Sequence, residues 1–370
     1  MTGTPNPPAQ GRALRLLGEL RRHGLEALVV TNATNIRYLT GFTGSNGTVV
    51  VTNEATTLVT DSRYTERAAE EIAAAQAETG IDVVLHIAAG ASTASVGDLV
   101  TSARTIGLEA HDLSWAAATK LQEQLTTERV KGTNGLVEGL RQAKSDGEIE
   151  RMTTAAGIAD EALQEVIDGG ILGRTEREVQ RSLDSRAVDL GADGASFDTI
   201  VASGPNSSRP HHEASDRTIV AGDLVIIDFG AEVEGYRSDM TRSFILGGPT
   251  DQQQRMLDAV MEAQSAGVET VRPDVVTSEI DAACRAVLAD HDLAEYFTHG
   301  TGHGVGLDIH EAPSVSSTST ATLAPGHVVT VEPGVYIPDV GGVRWEDTVV
   351  VTMDGAKALT NSPKQPHIDL

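Results

Sequence analysis

The sequence contains a single cysteine, Cys284, in 370 residues. One cysteine excludes a disulfide within the chain, and a metal site without thiolates excludes iron–sulfur clusters and cysteine-based structural zinc sites. Cys284 lies in a segment with helical spacing of apolar residues, where we expect it to be a small buried side chain.

Long apolar runs are also missing, and the N-terminal residues contain neither a basic region nor an apolar core. We therefore expect a cytoplasmic protein that does not enter a membrane. Basic residues are scarce, with 28 Lys and Arg against 53 Asp and Glu and a formal net charge of −25. Because such a surface repels phosphate groups, we expect no binding to nucleic acid or to anionic membranes.

The chain is long enough for two domains, each with its own core. Residues 1–10 are predicted to be a disordered N-terminus. Alternating strand and helix patterns predict an α/β domain over residues 11–140. Ser145 and Glu148 then have capping-box spacing and predict the start of a long helix, and Thr175 and Glu178 do the same for the next helix. The second domain is therefore placed at residues 141–370.

The most informative stretch of the second domain contains three histidines, His299, His303 and His310, with glycine at positions 300, 302, 304 and 306. So many glycines disfavour a helix and leave a strand little to pack. We expect this backbone to pass close to something that it must contact, and the favoured interpretation is a ligand or a metal ion.

Asp228 and Asp239 lie in a predicted hairpin upstream of these histidines. If Glu234 and Gly235 form a two-residue turn, Asp228 lies opposite Thr241, and Asp239 follows two residues along on the same face. A loop one residue longer or shorter would put the two acids on opposite faces. Their convergence therefore depends on this turn.

A second predicted hairpin contains Glu332, Arg344 and Glu346 within valine-rich strands. Arg344 and Glu346 share a face because side chains alternate along a strand. Acids inside such strands are costly to bury without a partner. Any one acid could be an ordinary solvated residue, but four acids together with the histidines predict a metal site.

Four carboxylates and one imidazole form an oxygen-rich ligand set. Such a set is able to bridge two divalent ions about 3.5 to 4 Å apart. It favours manganese or cobalt, with ferrous iron and zinc as alternatives. Water held by two such ions loses a proton near neutral pH and becomes a nucleophile, so the chemistry alone predicts a hydrolase.

These motifs resemble those of the pita-bread metallopeptidases, and within them the Xaa-Pro aminopeptidases and Xaa-Pro dipeptidases. The resemblance covers almost the whole chain and is strongest in IIDFGAEVEGYRSDMTRSF, HGTGHGVGLDIHEAP, VVTVEPGVYIP and GGVRWEDTVVVT. It implies a creatinase-like α/β N-terminal domain followed by an α+β pita-bread catalytic domain. It also implies hydrolysis of the Xaa-Pro bond in proline-containing peptides.

The resemblance assigns roles to individual residues. The implied metal ligands are Asp228, Asp239, His303, Glu332 and Glu346. Glu332 would also act as general base, and His310 would contact the substrate. His299 and Arg344 would shape the proline side of the pocket. The register predicted for the first hairpin, and not the resemblance, places Thr241 opposite Asp228, where we expect it to orient a carboxylate.

Two further assignments concern other parts of the chain. In the family, a histidine that follows proline in a loop upstream of the first aspartate reaches the substrate, and this role falls to His211. Its neighbour His212 would only satisfy the loop backbone. In the N-terminal domain, Arg37 is the candidate for limiting substrate length from the partner subunit of a homodimer.

Two alternative functions remain open on the same scaffold. One is a metal-free hydrolase such as creatinase, and the other is a non-catalytic binding module of pita-bread fold. The complete set of five ligands argues against both, because neither alternative needs that set.

Overall fold

The computed structural model describes residues 12–90, 92–125 and 129–369. The chain divides into two compact units, residues 1–141 and 142–370. The predicted disordered segment, residues 1–10, lies outside the described residues. No described helix is both long enough and apolar enough to cross a membrane.

The first unit is an α/β structure built on one six-stranded sheet. Its strands are β1 (Ala27–Val30), β2 (Gly47–Thr52), β3 (Thr56–Asp61), β4 (Val83–Ala88), β5 (Ile106–Glu109) and β6 (Val130–Thr133). Its helices are α1 (Arg12–Arg22), α2 (Ala33–Thr40), α3 (Thr65–Thr79), α4 (Val96–Leu99), α5 (Trp115–Leu125) and α6 (Leu136–Arg141). The sheet order is β4-β3-β2-β1-β5-β6. Strand β2 is antiparallel to both neighbours, and the other pairs are parallel.

Local sequence explains the middle of this sheet. Strand β1 consists of apolar residues and is buried throughout, as expected for an inner strand. Helix α2 follows at once, because the Asn32 side chain caps it by accepting a hydrogen bond from the Asn35 backbone. Gly41 ends the helix in the left-handed conformation. Arg37 lies in the last turn of α2 and is half-buried.

The second unit combines four long helices with several small sheets. The helices are α7 (Asp146–Asp168), α8 (Glu176–Asp189), α9 (Asp251–Thr270) and α10 (Thr277–Asp290). The strands before α9 are β7 (Gly194–Ala195), β8 (Ile200–Ser203), β9 (Leu224–Phe229), β10 (Ala231–Val233), β11 (Tyr236–Arg237) and β12 (Met240–Leu246). The strands after α10 are β13 (Gly302–Gly304), β14 (Glu311–Val315), β15 (Val328–Val331), β16 (Gly334–Ile337), β17 (Gly341–Arg344), β18 (Asp347–Val351), β19 (Ala356–Ala358) and β20 (His367–Ile368).

Two of these sheets carry the hairpins predicted from the sequence. One sheet has the order β20-β12-β9-β8, and the other has the order β14-β13-β15-β18-β19. Helices α7 and α8 contribute apolar residues to a core with the first sheet, and α9 and α10 do the same for the second. Cys284 of α10 is fully buried in that second core, as expected.

Both predicted capping boxes are present. The Ser145 side chain accepts from the Glu148 backbone while the Glu148 side chain accepts from the Ser145 backbone, and helix α7 begins there. Thr175 and Glu178 make the same reciprocal pair at the start of α8. The helix starts were readable because each depends on residues only three positions apart.

The register predicted for the first hairpin is confirmed. Glu234 and Gly235 have φ values of 48° and 77°, as a type I′ turn requires at both central positions. Val233 pairs with Tyr236, and the same register places Asp228 opposite Thr241. The turn therefore sets which face of the hairpin carries the acids.

A continuous register also runs through the second hairpin. Strand β15 pairs with β18 so that Val331 faces Asp347, and β16 pairs with β17 so that Gly334 faces Arg344. These pairings place positions 332 and 346 opposite each other. The two glutamates of the predicted site therefore lie opposite each other between the β15–β18 and β16–β17 pairings, which belong to separate sheets.

The glycines around His303 lie close to neighbouring parts of the chain. A Cβ atom at Gly302 would lie 2.1 Å from the Thr330 backbone oxygen, and one at Gly304 would lie 2.4 Å from that of Ala312. At Gly306 the neighbour would be the Glu311 carboxylate. These contacts require glycine at the three positions, and the expectation of a ligand or metal ion against this backbone stays a prediction.

We expect Gly302→Ala to destabilise the protein by about 2 kcal/mol or more, because overpacking against a backbone oxygen forces the strands apart. Gly157→Ala is the matched control, since Gly157 lies inside α7 with no atom within 4 Å of the added methyl group. That control should raise stability by up to about 1 kcal/mol. Urea unfolding of both variants measures the difference, and equal effects would contradict this account of β13.

Candidate active site and metal centre

A cavity of about 370 Å³ in the second unit brings together most of the predicted site residues. The predicted residues that line it are His211, Asp228, Asp239, His299, His303, His310, Glu332, Arg344 and Glu346. Apolar lining comes from Phe197, Ile200, Pro210 and Ile309. Arg37 belongs to the first unit, and its assigned role stays a prediction.

Asp239, His303 and Glu346 form the tightest group in this cavity. Each offers one ligand atom, and these atoms all lie within 4.8 Å of one another. The His303 Nε2 atom lies 3.6 Å from Asp239 Oδ2 and 3.4 Å from Glu332 Oε1. One imidazole nitrogen is thus surrounded by carboxylate oxygens that come from both hairpins.

Hydrogen bonding fixes the orientation of the His303 ring. Its Nδ1 lies 3.0 Å from the Gly304 carbonyl oxygen, which can only accept, so Nδ1 carries the proton. The Nε2 lone pair is then free to face the carboxylates and to bind a metal ion. The backbone of β13 thereby sets the ligand atom of its own histidine.

Burial, reinforced by neighbouring negative charge, raises the pKa values of three of the carboxyl groups. Burial, followed by the charges of Asp228 and Glu332, raises the pKa of Asp239 well above its usual range. Burial and the charge of Asp239 do the same for the pKa of Glu346. Burial raises the pKa of Glu332 to about 8, although the Arg344 charge opposes the shift. Such a group of acids is stable in ionised form only beside additional positive charge.

One carboxylate oxygen of Asp228 lacks the hydrogen-bond partner or cation that a buried oxygen normally has. Its Oδ2 atom accepts a hydrogen bond from Arg344 Nη2. Its Oδ1 atom is buried and has no hydrogen-bond partner among the described residues. Buried carboxylate oxygens are rarely left without a donor or a cation, so this atom fits a divalent ion bound among the acids.

Thr241 and Arg344 connect the two hairpins. The Thr241 hydroxyl donates to Glu346 Oε2 at 2.7 Å and accepts from Arg344 Nε at 3.0 Å. The Glu346 backbone N–H also donates to the Thr241 carbonyl. Thr241 therefore does orient a carboxylate, but that carboxylate is Glu346 and not Asp228, which lies opposite it in the ladder.

A hydrogen-bonded chain continues from Arg344 to His299 through Tyr336. Arg344 Nη1 donates to the Tyr336 hydroxyl at 2.8 Å, and that hydroxyl lies 3.0 Å from His299 Nε2. The His299 Nδ1 atom lies 2.8 Å from the Gly300 carbonyl oxygen, so Nδ1 is protonated and Nε2 accepts from Tyr336. Burial, together with the Arg344 charge, lowers the pKa of His299 to about 4.

The sequence assigned no role to Tyr336, although a signal for it existed. Tyr336 lies four residues after Glu332 in an extended segment, so alternation puts both side chains on one face. Phe197 and Ile200, which line the cavity, were also without a role, since apolar lining residues look like any other core residue.

His211 and His212 occupy different environments. His211 is exposed and lines the cavity. His212 is mostly buried, and its Nε2 atom lies 2.8 Å from the carboxylate of Glu176. The placement of His211 agrees with the role expected for it, whereas His212 contacts a carboxylate of helix α8 and not the loop backbone as expected.

Glu176 holds together the loop that carries these histidines. It is fully buried, and it accepts hydrogen bonds from the following groups of the loop: Ser203 N and Oγ, Asn206 Nδ2, and Ser215 N and Oγ. Burial alone would raise the pKa of Glu176, but hydrogen bonds from Ser215, Ser203 and His212 hold it at about 2. Sequence analysis missed Glu176 because its partners lie far along the chain.

The segment after β13 is fixed by an ion pair behind His310. The His310 ring packs edge-on against that of His303, with centroids 4.4 Å apart. Glu311 points away from the cavity and pairs with Lys144 at 3.0 Å, and both side chains are almost fully buried. Glu311 also accepts from the Asp308 backbone, which ties the turn before His310 to the same carboxylate.

Comparisons with known proteins agree with this geometry. Residues 150–353 match the model of metallopeptidase family M24, and residues 12–143 match the model of the creatinase/prolidase N-terminal domain. An Xaa-Pro dipeptidase of Pyrococcus horikoshii is 33% identical over 352 residues, which cover 95% of this chain and 97% of that protein.

Solved structures show the same likeness. The structure of an Xaa-Pro dipeptidase from Bacillus anthracis has a TM-score of 0.91 and 38% sequence identity, covering 98% of this chain and all of that chain. The structure of an X-Pro aminopeptidase from Thermotoga maritima has a TM-score of 0.86 and 31% identity, covering 95% of this chain and all of that chain.

The different environments of His211 and His212 predict different losses of stability when each is replaced by alanine. We expect His212→Ala to lower the free energy of unfolding by about 1 to 3 kcal/mol, because it removes a donor from the buried Glu176 carboxylate. His211→Ala should change it by less than about 0.5 kcal/mol, since His211 is exposed. Urea unfolding monitored by circular dichroism tests this, and equal costs for the two variants would contradict it.

Proposed function

This chain belongs to metallopeptidase family M24, and on that premise we propose that it hydrolyses the Xaa-Pro bond of proline-containing peptides with two divalent metal ions. The observation that carries the proposal is the buried convergence of four carboxylates on one imidazole, with an Asp228 oxygen left unpaired. Relatives named as Xaa-Pro dipeptidase support the choice of substrate.

Five residues would hold the metal ions, namely Asp228, Asp239, His303, Glu332 and Glu346. Because four of the five ligand groups are carboxylates, the set favours manganese or cobalt. When bound, the ions would polarise the scissile carbonyl group and lower the pKa of a water molecule. The ions would also supply the positive charge that these buried acids need in order to ionise.

Glu332 is the proposed general base. Its carboxylate faces the cavity and lies 3.3 Å from the Thr330 hydroxyl, which donates to it. The Glu332 backbone N–H donates to the Thr301 carbonyl at 2.7 Å, which fixes the chain at this point. Because hydrogen bonds hold both its side chain and its backbone, the Glu332 carboxylate can take a proton from an attacking water molecule without a change of position.

The substrate amide determines what the other residues must do. The bond before proline has no N–H, so a site cannot hold it through that hydrogen bond. His211 and His310 lie in the cavity with ring nitrogens available to the scissile carbonyl oxygen and to the departing proline nitrogen, which must gain a proton. His299, Tyr336 and Arg344 form the rigid wall proposed for the proline side.

No observation favours either alternative function. A metal-free hydrolase or a non-catalytic module has no need for a buried cluster of acids with raised pKa values, because such a cluster costs stability when no cation is bound. The presence of all five ligand residues in one cavity therefore supports the metallopeptidase.

The chain is further proposed to act as a homodimer in the cytoplasm. In this proposal Arg37 of the first unit faces the active site of the partner subunit and limits the length of the substrate.

Chelation should abolish peptidase activity, and manganese or cobalt should restore it, because the proposed chemistry needs the bound ions. Metal analysis of the restored enzyme should find two ions per chain. Glu346→Ala should lose at least one ion and most activity. Glu150→Ala is the matched control, because Glu150 lies exposed on α7. Normal turnover of the chelated protein, or of the metal-free Glu346 variant, would show the mechanism to be wrong.

His211→Ala should lower kcat by about 10²- to 10³-fold with the metal content unchanged, because one positioned donor is lost. His212→Ala should lower kcat only mildly, since its partner is Glu176 and not the substrate. Steady-state kinetics on Ala-Pro-Ala together with metal analysis checks both variants. A larger loss in the His212 variant would reverse the assignment of the two histidines.

A further inference from the structure

The only arginine or lysine that lines the catalytic cavity, within the residues that the structure describes, is Arg344, and its guanidinium group is already occupied. The side chain is almost fully buried. Its nitrogens donate to the following groups: Thr241 Oγ1 at 3.0 Å, Pro210 O at 3.4 Å, Tyr336 Oη at 2.8 Å, and Asp228 Oδ2. Arg344 therefore has little capacity left to neutralise a carboxylate on the substrate.

His299, on the same side of the cavity, also has both ring nitrogens engaged in hydrogen bonds. His299 is bonded at Nδ1 to the Gly300 carbonyl oxygen and at Nε2 to the Tyr336 hydroxyl. Ser314 and Ser316 add neutral hydroxyl groups to the lining. His211 and His310 are assigned to the scissile bond. The proline side of the cavity thus offers neutral hydrogen-bonding groups and no spare cation.

This arrangement discriminates between two kinds of substrate. In an Xaa-Pro dipeptide the proline ends in a free carboxylate, which would find no unengaged arginine or lysine among the described residues that line this cavity. In a longer peptide the same group is a neutral amide carbonyl, which needs only ordinary hydrogen bonds. The cavity therefore favours a proline that is followed by another residue.

Room for the following residues lies next to the catalytic cavity. A second cavity of about 500 Å³ shares Ile200 and His211 with it. The other lining residues are Arg177, Gln180, Arg181, Asp198, Thr199, His212, Glu213 and Ala214. An enzyme that releases one N-terminal residue needs no space beyond that residue, so adjoining space serves the part of the peptide after the scissile bond.

The second cavity also contains a cation with unused capacity. Arg177 lies 3.3 Å from Asp216. Among the described residues, the exposed Arg181 makes no hydrogen bond and no ion pair within 4 Å, and its charge acts only on Glu178 of the same helix, whose pKa it lowers. Two arginines balance Asp198 and Glu213 in this lining, in a chain with 53 acidic and 28 basic residues. Against that acidic background, Arg181 is the available partner for a carboxylate.

We propose that this chain is an aminopeptidase for Xaa-Pro-Yaa and longer peptides, with the residues after proline bound in the second cavity and the C-terminal carboxylate of a tripeptide beside Arg181. The proposal rests on the proposed Xaa-Pro hydrolysis and names its substrate class. It assigns to Arg181 a role in specificity, and not in the chemical step.

The first measurement compares Ala-Pro, Ala-Pro-Ala and Ala-Pro-Ala-NH2 as substrates of the metal-loaded, full-length enzyme. We expect kcat/KM to be about tenfold or more higher for both tripeptides than for Ala-Pro, because only the dipeptide brings an unpaired carboxylate into the catalytic cavity. Preference for Ala-Pro would overturn the inference and leave the proposed hydrolysis intact. If Arg37→Ala then abolished that preference for Ala-Pro, Arg37 would be the cation that pairs with the proline carboxylate.

The second measurement tests the carboxylate site. Arg181→Gln should lower the ratio of kcat/KM for Ala-Pro-Ala to that for Ala-Pro-Ala-NH2 by about three- to fivefold, chiefly through KM, as for a partly exposed ion pair. High salt should also lower the wild-type ratio of kcat/KM for Ala-Pro-Ala to that for Ala-Pro-Ala-NH2, because it screens the ion pair. Arg181→Glu should reverse the preference towards Ala-Pro-Lys-NH2.

Arg186→Gln is the matched control, because Arg186 lies on the same helix, pairs with Glu165 and does not line the cavity. Its substrate ratios should equal those of the wild type. An Arg181 effect that follows the size of Xaa and not the C-terminal charge would mean that the cavity holds the Xaa side chain, which overturns the inference. Failure of the metal-loaded wild type to cleave any Xaa-Pro peptide would overturn the proposed function and this inference with it.

Discussion

Asp228, Asp239, Glu332 and Glu346 lie together in one cavity, and the cost of burying these acids beside one another is the constraint on which the second unit depends. Burial and neighbouring negative charge raise the pKa values of three of these carboxyl groups. Packing of helices α7 to α10 must offset that cost, because nothing in an acid cluster favours folding without a cation. The two hydrophobic cores behind the hairpins supply this support, and the same cluster of acids is the candidate site for divalent ions.

Two hairpins bring the acids together, and a few hydrogen bonds hold the hairpins to each other. Thr241 of the first donates to Glu346 of the second, and Arg344 of the second binds Asp228 of the first. Each hairpin is thus completed by a side chain from the other. Because these contacts use up the donors of Arg344, the residue that holds the candidate metal ligands in place has little left for a substrate. Under the proposed substrate preference, this one guanidinium group links the architecture to specificity.

Much of this arrangement was accessible to sequence analysis, since it depends on local rules. The Glu234–Gly235 turn fixes the register of the first hairpin, and the capping boxes at Ser145 and Thr175 fix two helix starts. The glycines around His303 show where such reasoning is limited. Their number correctly indicated close approach, but the neighbour is backbone of the adjoining strands, which no local pattern identifies.

The sequence by itself determined the candidate ligands and the face of each hairpin on which they lie, because alternation along a strand and turn geometry act over a few residues. Only the tertiary structure decided which groups are already engaged. Glu176 gathers a loop from partners up to 39 residues away, and Tyr336 joins His299 to Arg344. Such contacts arise from the packing of separate segments. Whether an arginine is free or occupied, and therefore which substrate it can accept, depends on that packing and not on its neighbours in the chain.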